Sequence, residues 1–279
     1  MRIQYANMRI QYASDLHIEQ HPKATFEETI VPEADYLVLC GDISFPSSNP
    51  IGLNKAFPNL ETPNHPNFQR FLEYVSEKWK LVFYVPGLSE MRVPFEVFKS
   101  ICSSYKNIKI LHMNHYLLEN RLLIVGLPLM TRKHNQMFDE NRDYLEHTIK
   151  HSSYPILVCS YFAPFTWMYD EHRVYSPKET IAEPDLEKLI TKPVMAWIVG
   201  HIHQSIEYTR RYFLPTGEDG SVLFVSNPRG DYIDEKRSEN PYFRNESVIY
   251  LAVTEESDSH TTSEIPLWHR RNLVLGRKQ

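Results

Sequence analysis

An α/β fold is predicted for this chain. Apolar runs of strand length alternate with amphipathic helical stretches over most of the sequence, and the last runs follow one another with only turn-type linkers between them. The 279 residues are 42% hydrophobic and 23% charged, which supplies one substantial core or two small ones, and no segment is of low complexity.

The strand runs are, in order, Arg9–Ala13, Tyr36–Cys40, Leu81–Val85, Ile108–His112, Tyr116–Leu118, Leu122–Val125, Pro155–Cys159 and Val194–Val199. Helices fall between the earlier ones. Phe68, Phe71, Leu72, Val75 and Trp79 recur at offsets of three and four, as do Phe95, Phe98 and Ile101, so each set forms one apolar helical face. A third helix is expected near Asp139–His151. Ser205–Tyr212, Ser221–Val225 and Ser247–Val253 have no long helical stretch between them and read as meandering antiparallel strands.

Three segments interrupt this pattern. The hexapeptide MRIQYA occurs at Met1–Ala6 and again at Met8–Ala13, a period too short for a solenoid. It reads as a local duplication or an alternative start, with Met8 beginning the fold and Met1–Asn7 an appended arm or extra edge strand. Between Phe45 and Pro66, five prolines with asparagines and serines break any periodicity, which predicts a long surface loop or insertion. The main domain is taken as residues 8–253 and the remainder, 254–279, as linker and tail. Within it Glu255–Glu264 is acidic and polar, whereas Ile265–Gln279 mixes Trp268 and Leu273 to Leu275 with Arg270, Arg271, Arg277 and Lys278. Docking of this tail on the body, or on a protein partner or anionic surface, is expected.

A formal charge of -5 argues against a dedicated nucleic-acid binder, because such proteins carry a basic surplus to neutralise phosphates. No run reaches the roughly 18 to 20 apolar residues of a membrane span, and the N-terminus lacks the pattern of a signal peptide. Cys40, Cys102 and Cys159 are odd in number and widely spaced, which reads as reduced thiols in an intracellular, cytoplasmic protein.

Chemistry is expected where strands end. Ala13 is followed by Ser14-Asp15-Leu16-His17, Cys40 by Gly41-Asp42, and Val199 by Gly200-His201-Ile202-His203. Parallel strands place their carboxyl ends on one edge of a sheet, so these loops can converge although distant in sequence. Carboxylate oxygens and imidazole nitrogens form the donor set of Mn, Fe and Zn, and a carboxylate can bridge two ions. Asp-x-His alone is more often a solvated turn, and Gly-Asp is weaker still. Gly-His-x-His after a strand is stronger, because alternate residues of extended backbone face the same way. The ordered occurrence of all three is what points to a metal site.

On these motifs, and on Val225-Ser226-Asn227-Pro228-Arg229-Gly230, the stretch from Met8 to Val253 resembles the calcineurin-like metallophosphoesterase superfamily. The resemblance implies a four-layer sandwich, two mixed β-sheets packed face to face with helices outside. It also implies hydrolysis of phosphate mono- or diesters by metal-activated water. The first ion would be held by Asp15, His17, Asp42 and His203. The second would share Asp42 and take His201, an Asn from a Gly-Asn-His-Glu motif and a His from a later strand end.

The last two are missing. The third motif aligns on Gly87-Leu88-Ser89-Glu90, where Leu88 replaces the ligand Asn and Ser89 the His that protonates the leaving group. Tyr161 stands where the later His belongs, or Ser160 or Phe162 if the register shifts by one. Leucine has no lone pair, and a neutral phenol with a pKa of about 10 is a poor ligand. One divalent ion (Mn, Fe or Zn) is therefore expected, with the second site doubtful. His112, His115 and His134 are weighed as replacement ligands, though surface or core roles are commoner for histidine. Tyr161 is also a candidate hydrogen-bond donor to substrate or a nucleophile. Arg229 is a candidate for a phosphate oxygen or, more commonly for such a residue, a structural ion pair.

Two readings stand. One is a divergent phosphoesterase with impaired, single-ion hydrolysis. The other is a pseudo-phosphoesterase, a binding or scaffold protein whose cleft is retired. A nuclease or DNA-binding subunit ranks third because of the net negative charge.

Overall fold

Alternate residues of the strand Tyr36–Cys40 (β2) divide between two cores: Tyr36, Val38 and Cys40 join one, Leu37 and Leu39 the other. A strand buried on both faces reads as a continuous apolar run, which is why its limits are legible in sequence. Leu81–Val85 (β3) does the same, with Phe83 and Val85 facing one way and Val82 and Tyr84 the other. The computed structural model describes residues 5–21, 25–46, 66–129, 135–168, 184–234 and 237–254.

The first sheet has the order β13-β1-β2-β3-β4, where β1 is Tyr5–Ala13, β4 Ile108–Ile110 and β13 Val248–Thr254. β1 to β4 are parallel and β13 is antiparallel to β1. The second sheet has the order β5-β6-β7-β8-β10-β9. Its strands are Asn114–Leu118 (β5), Leu122–Leu127 (β6), Ile156–Ser160 (β7), Val194–Val199 (β8), Ile206–Phe213 (β9) and Asp219–Ser226 (β10). Here β6, β7, β8 and β10 are parallel, flanked by antiparallel β5 and β9. Both sheets are mixed, as expected.

The main core lies between them, joining Ile10, Val38 and Val85 of the first sheet to Ile124, Leu157 and Ile198 of the second. Outside the first sheet sit Phe68, Phe71, Leu72 and Val75 of Pro66–Lys78 (α2), with Phe98 and Ile101 of Phe95–Cys102 (α3). Leu145 and Ile149 of Asn135–His151 (α4) pack outside the second. Trp79 falls one residue past α2, where its indole N–H donates to the buried Gln11 Oε1 at 3.0 Å. A short helix not foreseen in the sequence, Phe26–Thr29 (α1), starts with a capping box between Thr25 and Glu28.

The antiparallel meander requires correction. β9 and β10 do form an antiparallel pair, but β10 also runs parallel to β8, and β13 belongs to the opposite sheet. The intervening chain makes a small ladder of Tyr232–Asp234 (β11) and Arg237–Ser238 (β12), and then crosses to β1. There Ile249, Leu251 and Val253 enter the core. Burial against a distant strand, not the short linkers, chose the partner. Tyr5–Asn7 of the duplicated segment continue β1 and pair with Ala252–Thr254, beyond the reach of β2.

Three buried thiols, Cys40, Cys102 and Cys159, are free. Among the described residues no helix is long and apolar enough to cross a membrane. Residues 1–4, most of the Pro-rich stretch, His134 and the tail 255–279 lie outside the described residues.

Candidate metal centre

The carboxyl ends of β1, β2 and β8 meet across the two sheets. The Asp15 N–H donates to Gly41 O at 2.9 Å and the His17 N–H to Asp42 O at 3.1 Å, which lashes the first two loops together. A Cβ at Gly200 would stand 2.1 Å from Cys40 O, so only glycine lets the end of β8 approach the end of β2 this closely.

The backbone is strained where these loops converge. Asp15, His17, Asp42, His201 and His203 all have positive φ, between 42° and 66°. Left-handed backbone costs a non-glycine residue on the order of 1–2 kcal/mol, and such outliers persist where surrounding structure fixes them for a purpose.

Asp15, His17 and His203 are buried and form one constellation, their ligand atoms all within 4.8 Å of one another. His17 Nε2 and His203 Nε2 are 3.4 Å apart, and His203 Nε2 is 3.5 Å from Asp15 Oδ1. This buried Asp/His group could bind a metal. Burial opposes charge on His203, but Asp15 and Glu239 outweigh it and hold the imidazole pKa up at about 9. Burial likewise opposes charge on His17, and Glu19, Asp15 and Asp42 raise it nonetheless. The Asp15 carboxyl is lowered, because His203 and His17 overcome the cost of burial. A carboxylate that attracts protons onto two imidazoles will also attract a cation in their place.

Asp42 and His201 stand apart from this trio and share a different partner. Tyr161, fully buried, donates its hydroxyl to Asp42 Oδ2 at 2.6 Å and lies 2.9 Å from His201 Nδ1. Its ring fills the space that glycine leaves at two loops, since a Cβ at Gly41 or Gly87 would come within 2.3 and 2.6 Å of it. Burial, then the Asp42 and Asp15 charges, push the phenol well above its ordinary pKa, so it stays protonated. Burial keeps His201 on the neutral side, while its N–H donates to both Asp15 oxygens at 3.1 and 2.9 Å. Of the alternatives to Tyr161, Ser160 Oγ is engaged away from the site, donating to Phe162 O and accepting from Trp197 Nε1. Phe162 packs edge-on to His201 at 4.6 Å.

Leu88 is 45% exposed at this rim, whereas Ser89 is buried and its N–H donates to Asp42 Oδ1 at 2.6 Å. The Arg229 guanidinium donates to Thr29 Oγ1 at 3.3 Å, and burial lowers its pKa to about 10. His112 stacks on Phe95 at 4.4 Å, and His115 Nδ1 lies 3.1 Å from Tyr144 Oη.

Four acidic residues join the site without having been singled out in the sequence. Glu90 is fully buried and accepts from the N–H groups of Asp42, Ile43, Ser44 and Gly87 and from Tyr84 Oη. Burial and the Asp42 charge push it up to about 7. Glu19 faces His17, Glu239 faces His203, and Asp231 Oδ1 lies 3.7 Å from His17 Nε2. Glu90 was visible as the last residue of its four-residue motif. The others carry no local signal beyond the closeness of Glu19 to His17.

No family model matches the chain. An uncharacterized protein of Acanthamoeba polyphaga mimivirus, L509, is 23% identical over 295 residues, covering 84% of this chain and 95% of that protein. Among solved structures, the phosphopantetheinyl hydrolase PptH from Mycobacterium tuberculosis matches with a TM-score of 0.53 at 12% identity, over 80% of this chain and 89% of that one. TT1561 of Thermus thermophilus matches at 0.49 and 12% identity, over 88% of this chain and 99% of that one. The likeness to PptH concerns the fold: two mixed sheets with flanking helices, the architecture implied by the metallophosphoesterase resemblance.

Proposed function

We propose that this chain is a divergent phosphoesterase that holds one divalent cation and hydrolyses phosphate mono- or diesters slowly. The observation that carries this reading is the convergence of Asp15, His17 and His203 at strand ends in a fold shared with the phosphopantetheinyl hydrolase PptH. The donor set fits a cation. Two imidazole nitrogens 3.4 Å apart beside a carboxylate direct lone pairs at one place, which is unfavourable unless a proton or an ion lies among them. When bound, such an ion supplies Lewis-acid polarisation of a phosphoryl oxygen and acidifies water.

The chain's own residues explain why turnover is slow. Asp42, the candidate bridging ligand, already accepts from Tyr161 Oη and from the Ser89 N–H. Tyr161 sets a hydroxyl between Asp42 and His201, the two residues left of the second site. Ser89 offers no imidazole to protonate a leaving oxygen, and the loss of such an acid costs typically 10² to 10⁴ in rate. The phenol proton is committed to Asp42, and its raised pKa makes Tyr161 a weak substitute. The same plug favours the second reading, a pseudo-phosphoesterase that binds a phosphorylated ligand without turning it over.

An assay of generic phosphate mono- and diesters with added Mn²⁺ separates the two. Slow, metal-dependent turnover that Asp42→Ala abolishes is the expected result. Binding of Mn²⁺ without turnover would establish the pseudo-phosphoesterase, and absence of both would overturn the metal site itself.

A further inference from the structure

Each imidazole of the trio is backed on its outer nitrogen by a glutamate. His203 Nδ1 lies 2.5 Å from Glu239 Oε2, and His17 Nδ1 lies 3.5 Å from Glu19 Oε1. The Glu19 side chain is only 4% exposed, and among the described residues neither of its oxygens, nor His17 Nδ1, has a hydrogen-bond partner. A buried carboxylate left this way costs stability unless it serves a charge beyond it. Glu239 reaches its place because Gly230 yields: a Cβ there would sit 3.0 Å from Glu239 Cβ, at a φ of 79° that favours glycine. Glu239 Oε2 also accepts the Asp231 N–H at 3.4 Å, which ties it to the loop before β11.

We infer that Glu19 and Glu239 are positioning residues that hold His17 and His203 with their Nδ1 protons outward and both Nε2 lone pairs on one cation. This inference rests on the single-ion reading above. A carboxylate behind a ligating imidazole fixes its tautomer and ring orientation and raises its basicity, and removing such a partner typically costs about 10- to 100-fold in metal affinity. The 3.4 Å approach of the two Nε2 atoms is the geometry this arrangement produces. Both glutamates lie outside the strand-end motifs, Glu19 in the 3-10 turn Ile18–Gln20 just beyond His17 and Glu239 just beyond β12, on the chain that crosses between the sheets.

The test is calorimetric titration of Mn²⁺ into the full chain and into Glu239→Ala, Glu239→Gln and Glu19→Gln, with Co²⁺ absorption as a spectroscopic readout. The expected result is a loss of about 10- to 100-fold in Glu239→Ala, an altered Co²⁺ spectrum and partial recovery in Glu239→Gln, whose side-chain carbonyl still accepts the Nδ1 proton. Metal-free unfolding midpoints should fall further in Glu239→Ala, which removes the partner of His203 Nδ1, than in Glu239→Gln, which keeps an acceptor there. Wild-type affinity in Glu239→Ala and Glu19→Gln would overturn the inference while leaving the ion site standing. No recovery in Glu239→Gln, with equal losses of metal-free stability in both Glu239 variants, would overturn it too. If Glu239→Ala does not fold, the two glutamine variants decide. Failure of the unaltered chain to bind Mn²⁺ would instead remove the single-ion reading on which this one stands.

Discussion

Tyr161 donates its hydroxyl to Asp42 Oδ2 at 2.6 Å, so a phenol from the end of β7 is bonded to the carboxylate at the end of β2 across the sheet interface. Tyr161→Phe removes that bond from a buried carboxylate oxygen, together with the 2.9 Å contact to His201 Nδ1. A loss of about 1.5–3 kcal/mol in the metal-free protein is expected from urea unfolding, the range for a hydrogen bond to a charged group. A neutral substitution would mean that Asp42 does not depend on the phenol.

Restoring the missing groups should restore chemistry. The triple variant Leu88→Asn, Ser89→His, Tyr161→His replaces an exposed leucine, a buried serine and the phenol with two ligand types and an acid. Its rate on phosphate esters should rise by at least the roughly 10²-fold that general acid catalysis contributes. An inert triple variant with normal ion occupancy would show that the cleft has lost substrate.

Glu90 holds the loop that carries Asp42, through four backbone N–H groups and Tyr84 Oη. Glu90→Gln turns an N–H₂ group toward those donors, so at least about 3 kcal/mol of stability should be lost by denaturant unfolding. A milder loss would show that the loop is held elsewhere.

The pH dependence of stability should carry a signature of His21. Burial, and then the Arg229 charge, lower its pKa from 6.5 to about 4. The folded state therefore resists a proton that the unfolded chain accepts below 6.5. His21 contributes stability that is complete above pH 6.5 and is lost as pH falls toward 4. Unfolding midpoints measured across that window should slope less steeply in His21→Gln. An unchanged slope would mean that other groups carry the acid sensitivity.

How far the sequence reached is set by where the information lies. Tyr36–Cys40, Leu81–Val85 and Val194–Val199 are strands with the limits read from sequence, because both their faces are buried and the apolar run ends where the strand does. β11 and β12 have only three and two residues, too short for any period to register. The sequence reads Ser247–Val253 as a strand of an antiparallel meander, whereas the strand observed, Val248–Thr254, pairs with β1, almost the whole chain away. At the site, Asp15, His17, Asp42, His201 and His203 stand out as motifs at strand ends. Glu19, Asp231 and Glu239 do not, because a lone acid in a loop acquires meaning only from the imidazole that the fold brings to it.

The proposed state is one ion per chain, held by Asp15, His17 and His203, with the neighbouring position filled by Tyr161. Elemental analysis of Mn²⁺-loaded protein after removal of free metal tests it directly. One ion per chain is expected in the unaltered protein and close to none in Asp15→Asn combined with His203→Asn. Two ions per chain, or one ion that survives both substitutions, would contradict it.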